Sequence, residues 1–206
     1  MFKTINENVS SEIVEKKSKF IGNIFYVESV EEAEEKIKEV KKKYFDAKHN
    51  CFAFRIFTKD GIIERFSDDG EPSGTAGGPM LNLLSSQNLN NILVVVTRYF
   101  GGILLGTGGL VRAYSGTVQK GIEEAEIIEK DLGLEILIET NYSEIEKLKY
   151  YLKQNNINVI DTRFLENVEV ICEMTKEKFE KLEKNINELS FKIVSLKKQN
   201  EKYIRL

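Results

Sequence analysis

At 206 residues the chain can hold one large domain or two small ones, and its 41% hydrophobic content is enough to fill a real core. Lysine and arginine number 30 against 33 acids, a net charge of −3, which argues against a protein that coats nucleic acid by bulk charge and leaves only a local basic patch for that purpose. No apolar stretch approaches the ~18 residues that span a bilayer, the start lacks the order of a signal peptide, and two well-separated cysteines read as free, buried thiols; the expectation is a cytoplasmic protein with no membrane partner.

Residues 9–27 alternate polar and apolar positions, as two strands or one long bent strand would. Ser29 opens a helix by a capping-box signal, Ser29-x-x-Glu32. Its apolar stripe runs through Val30, Ala33, Ile37, Val40 and Tyr44, and its Glu/Lys run reads as the solvated face. Residues 51–57 form a strand, and Lys59-Asp60-Gly61 turns it into a second strand over 62–66. The acidic, glycine-rich loop 67–79 follows, then a short helix over 80–84. Residues 92–96 form an unbroken apolar run, the pattern of a central strand buried on both faces. A glycine-rich loop then leads into an amphipathic helix from 107 or 108 to 125. Composition shifts near residue 130, and the remainder reads as a strand (134–138), a helix from Ser143-x-x-Glu146, strands at 157–163 and 168–174, a helix through Phe179, Leu182, Ile186 and Leu189, and a last strand at 191–196. This β-α-β-β-α-β order is the ferredoxin-like plan, so the expected domains are 1–130 and 131–206 of an α+β protein.

His49 is the sole histidine, which excludes multi-histidine metal sites. Cys51 lies on the same strand face, although a polar histidine touching a ligand or solvent is a simpler reading than a thiolate–imidazole pair. Asp68, Asp69 and Glu71 either bind a hard cation or shape turns and cap the next helix. Their spacing fits no calcium loop, so no metal is assigned. Gly101 and Gly106 have the spacing of half a P-loop, but Thr107 stands where the lysine is required, so an NTPase reading is poor. Gly101, Gly102, Gly106, Gly108 and Gly109 serve either close packing or a phosphate at a helix N-terminus. Arg98 closes the buried strand and Arg112 sits on the next helix, with Lys19 and Arg65 on neighbouring strands. Arg98 either pairs with the acidic loop or lines a phosphate cleft. Tyr99 and Phe100 are core residues or stacking surfaces for a base.

Four blocks carry a resemblance: Ser18-Lys19-Phe20-Ile21; Ala47 through Ala53; Ser67 through Gly77, which includes Ser73 and Thr75; and Thr97 through Tyr114. On these the chain resembles the YigZ/Impact family over its whole length. The resemblance implies an N-terminal Impact domain with a ribosomal-protein S5 domain-2-like fold, and a C-terminal ferredoxin-like domain similar to the last domain of elongation factor G. Eukaryotic relatives restrain the amino-acid-starvation kinase by competing for its activator, but they lack the C-terminal domain. That partner scheme therefore does not carry over, and the leading expectation is a translation-linked, non-enzymatic protein that binds RNA or the ribosome, with another translation-related protein as a further partner. The expected nucleic-acid or phosphate contacts are Lys19, His49, Arg65, Arg98, Tyr99, Arg112 and the five glycines. Asp68, Asp69, Glu71, Ser73 and Thr75 form a loop of possible function, with no catalytic residue, metal or cofactor assigned. The rivals are a hydrolase or phosphotransferase with a metal on the acidic loop, and a protein–protein adaptor. Lys192, Lys197, Lys198, Lys202 and Arg205 offer a second contact or simply a solvated strand edge.

Overall fold

A computed structural model describes residues 1–58 and 60–205. Lys59, part of the expected turn, lies outside them. The chain divides into two compact units, Phe2 to Glu129 and, with Met1, Lys130 onward.

In the first unit, β1 (Phe2–Ile5) precedes a five-stranded antiparallel sheet of β2 (Val9–Glu15), β3 (Ser18–Tyr26), β4 (His49–Thr58), β5 (Gly61–Ser67) and β6 (Ile92–Tyr99), in the order β2-β3-β6-β4-β5. The stretch over 9–27 is thus two strands. Central β6 is apolar along its length because both its faces are covered. Val94 and Val96 pack beneath α2 (Gly77–Ser86) and α3 (Thr107–Glu124), with Phe20, Cys51, Met80, Leu84 and Tyr114. Leu93 and Val95 meet Ala33, Ile37 and Val40 of α1 (Val30–Lys43) on the other face. Helix α1 begins as expected: Ser29 Oγ accepts the Glu32 amide at 3.1 Å. The Glu32 carboxylate does not close the box on Ser29 but takes the Glu28 amide at 2.8 Å.

The second unit carries most of β7 (Ile127–Thr140), then α4 (Ile145–Gln154), β8 (Asn158–Phe164), β9 (Val168–Thr175), α5 (Lys176–Asn185) and β10 (Ile193–Arg205). The strands pair antiparallel in the order β10-β7-β9-β8, the ferredoxin-like arrangement. Ile136, Ile138, Val170 and Cys172 of the sheet share one core with Leu148 and Leu152 of α4 and Phe179 and Leu182 of α5.

Several boundaries differ from the sequence reading, with α2, β6 and β7 all longer than expected. Helix α4 starts at Ile145 with Glu144 as its cap residue and no side-chain cap, because a turn closed by the Glu144 amide on the Asn141 carbonyl, at 3.0 Å, takes up Ser143. Helix α5 ends at Asn185, and Ile186–Glu188 tighten into a 3₁₀ turn. Strand β10 runs far past residue 196. Its outer half is polar yet stays paired to β7, with Lys202 bridging Glu135 and Glu173, each at 2.6 Å. No described helix is long and apolar enough to cross a membrane.

Candidate functional site

The end of β6 organises the first unit's polar centre. Arg98 stands opposite Phe20 of β3 and His49 of β4, so all three side chains share the sheet face that α2 and α3 cover. Arg98 is only 6% exposed and Glu71 8%. Arg98 Nη1 donates to Glu71 Oε1 at 2.6 Å, and the Tyr114 hydroxyl donates to the same oxygen at 2.9 Å. The guanidinium carbon lies 5.5 Å from the Phe20 ring centre and 5.4 Å from that of Phe100. Arg98 Nε is buried without a hydrogen-bond partner among the described residues, where the cation is held by one carboxylate and two aromatic rings. Of the two readings open to Arg98, the inward pair is the one formed.

Each carboxylate of the acidic loop has its own protein partners. Asp68 accepts the amides of Gly74 at 2.8 Å, Ala76 at 3.0 Å and Gly77 at 2.8 Å. It thereby supplies the cap that Ala76, at the head of α2, cannot. Asp69, at φ +42°, takes Lys41 Nζ at 2.8 Å and the Asn50 amide at 2.7 Å. Its carbonyl accepts His49 Nδ1–H at 2.8 Å, which fixes the proton on that nitrogen. The Thr75 hydroxyl donates to the Pro72 carbonyl at 2.6 Å, and Ser73 is exposed. The three acids therefore point apart. Among the described residues no group of metal-type side chains gathers that could hold an ion.

Cys51 Sγ–H donates to the Asp68 carbonyl at 2.9 Å. Burial pushes its thiol up to about 12, so it is a neutral packing group. His49 and Cys51 are each engaged by the loop and form no nucleophilic pair.

Of the two roles considered for the glycine loop, close packing is formed at Gly101. Gly101 donates its amide to Ser18 Oγ at 3.1 Å, and a Cβ there would fall 2.0 Å from the Lys17 carbonyl carbon. Close approach of two backbones requires this glycine. Further on, α3 begins after Gly106 (φ +72°) with no side-chain cap and no acid in its first turn, so its first amides are unsupplied. The exposed Arg112 reaches back over that turn: its Nη1 lies 3.6 Å from where a Gly108 Cβ would stand, and it forms no ion pair among the described residues.

The remaining expected contacts fall elsewhere. Lys19 and Tyr99 are register partners on the sheet face opposite Arg98, with Lys19 bound to Glu12 at 2.7 Å and the Tyr99 hydroxyl to Asp46 at 2.7 Å. Arg65 pairs with Glu34 at 3.2 Å on the α1 side. The structure thus places Arg112 over the first turn of α3, pairs Arg98 inward, and sets Lys19, Tyr99 and Arg65 apart from both. It also adds Lys16 and Lys17, which the sequence reading passed over. Both are exposed at the β2–β3 turn against Gly101, and no Gly or Asn advertises that turn.

The Impact N-terminal domain profile matches residues 16–122, and a domain of unknown function, DUF1949, matches 138–190. The chain belongs to the IMPACT family. It is 40% identical to the Bacillus subtilis IMPACT family member YvyE over 81% of this chain and 76% of that one. It is 37% identical to the Escherichia coli IMPACT family member YigZ over 72% and 74%. A crystal structure of a hypothetical protein superposes with a TM-score of 0.65 at 32% identity, covering 92% of each chain. The Impact match, residues 16–122, contains Lys16, Lys17, the acidic loop, the glycine loop and Arg112, so the candidate site lies within the matched span.

Proposed function

We propose that this IMPACT-family chain is a non-enzymatic, translation-linked protein that binds RNA, free or within the ribosome, at the glycine-rich start of α3. One observation carries the reading: an uncapped helix N-terminus with no acid in its first turn lies beneath Arg112, a cation without an ion-pair partner among the described residues. Open amides, the helix dipole and an unneutralised guanidinium together favour a phosphate. The link to translation rests on the family resemblance, through the eukaryotic relatives that restrain the starvation kinase. Arg98 belongs to the floor of this site as the partner of Glu71, and contact with the ligand falls to Arg112 and the loop amides. Sedimentation with ribosomes and with free RNA, at low and high salt, tests the reading. Co-sedimentation at low salt that is lost at high salt and in Arg112→Ala, but kept in Arg65→Ala, is expected. No association at low salt overturns it.

A further inference from the structure

Strands β2 and β3 are joined by Lys16 and Lys17, at φ +44° and +65°. Two consecutive left-handed residues make the tight hairpin turn that Asn-Gly ordinarily occupies. Side chains other than Gly, Asn and Asp avoid that conformation, and neither lysine gains an ion pair among the described residues in return. The pairing of β2 with β3 and the close approach of Gly101 hold the turn in this conformation.

What the turn presents is set by the packing of β2 on α3. Ser11 Oγ donates to the Thr117 carbonyl at 2.7 Å, and Ile13 Cδ1 lies 4.0 Å from where a Gly116 Cβ would stand, so β2 climbs toward the start of the helix. From Ile13 to Lys16 is about 10 Å along the strand, which matches about seven residues back along α3 from Gly116. By this count the turn lies near the height of Gly109, over whose turn the Arg112 side chain reaches back, and Gly101 pins its backbone in place. Lys16, Lys17 and Arg112 form one exposed basic rim, with Glu15 as the neighbouring acid on the strand.

Phe100 stands beside this rim, 53% exposed, with one face of its ring on the Arg98 guanidinium. A ring held from behind by a cation, open in front and beside lysines that have no ion pair among the described residues, suits a flat π-surface joined to phosphates. A paired duplex hides its base faces, and a single strand offers them.

Building on the RNA-binding reading above, we infer that the site takes single-stranded RNA, with one unstacked base on Phe100 and the flanking phosphates on the Lys16–Lys17 turn and Arg112.

The test is fluorescence anisotropy of the full chain with a labelled oligouridylate and with a fully paired RNA duplex of equal length. The single strand is expected to bind at least about tenfold more tightly. Phe100→Leu lowers single-strand affinity about tenfold, and Phe100→Trp restores it. The double variant Lys16→Asn, Lys17→Gly removes both charges while installing the preferred turn. Its melting temperature holds or rises, its affinity falls about tenfold, and the slope of log affinity against log salt drops by about two. Equal binding of strand and duplex, with Phe100→Leu unaffected, overturns the inference while leaving RNA binding intact. An unchanged salt slope in the lysine variant removes the turn from the site. Absence of any RNA binding by the unmodified chain overturns both this inference and the reading it rests on.

Discussion

Arg98 and Glu71 form an ion pair at 2.6 Å with both side chains almost wholly buried, joining the end of β6 to the acidic loop. Removing one partner of such a pair strands a charge away from water, at a cost of about 3–5 kcal/mol, whereas replacing both by apolar groups of similar volume is close to neutral. Glu71→Ala is thus expected to lower the urea midpoint strongly, and Glu71→Leu combined with Arg98→Met to recover most of the loss. Circular dichroism of each variant in urea checks this. A double variant no better than the singles would mean that the pair is not the source of the instability.

Asp68 holds the amides of Ala76 and Gly77 at the head of α2 and that of Gly74 in the loop before it. Loss of an N-terminal cap costs about 1–2 kcal/mol. Asp68→Ala should show that loss together with faster hydrogen exchange at Gly74, Ala76 and Gly77. Exchange at those amides equal to the unmodified protein's would refute the capping role.

Gly101 and Gly102 are adjacent, yet they should respond differently to alanine. A Cβ at Gly101 meets the Lys17 backbone at 2.0 Å, whereas one at Gly102 meets nothing within 4 Å and suffers only from φ +83°. Gly102→Ala is expected to cost about 1 kcal/mol. Gly101→Ala must push the β2–β3 turn aside and cost clearly more. Thermal melts of the two variants decide it.

Alkaline pH should weaken both units. Burial raises the thiols of Cys51 and Cys172 to about 12 from 9.0. The folded state holds these protons more tightly than the unfolded chain, so stability is unaffected below pH 9.0 and falls as pH climbs from there toward about 12. Each thiol contributes up to about 1.4 kcal/mol per pH unit in that window. Lys202, raised by its bonds to Glu135 and Glu173 against the opposing effect of burial, loses its contribution in the same direction. Urea midpoints across this range for the unmodified chain and Cys51→Ala isolate one thiol: the variant's decline should be shallower.

Much of this architecture could be read from pattern alone, for reasons that differ by element. β6 was legible because a strand covered on both faces must be apolar throughout, and α1 because Ser29 caps it. The βαββαβ order showed in the alternation of β9, from Val168 to Met174, and in the helical stripes of α4 and α5. The outer half of β10 was not legible, since a strand with solvated side chains is held by backbone pairing and ion pairs such as Lys202 with Glu135. The Lys16–Lys17 turn escaped because its conformation is imposed by strand pairing and by Gly101 rather than by turn-forming residues. For Arg98 the sequence admitted two partners. The choice between Glu71 and an outside phosphate depends on contacts 27 positions apart, which no local pattern encodes.

The acidic loop has a practical consequence for genetics. Asp68, Asp69 and Glu71 each brace a different wall: the head of α2, the α1–β4 corner and the end of β6. A survey that scores growth or activity would mark all three as indispensable, the signature usually assigned to a reaction centre. Soluble yield and resistance to protease, measured on the same variants, would separate the two origins: loss of architecture lowers both, whereas loss of chemistry leaves the protein intact and silent.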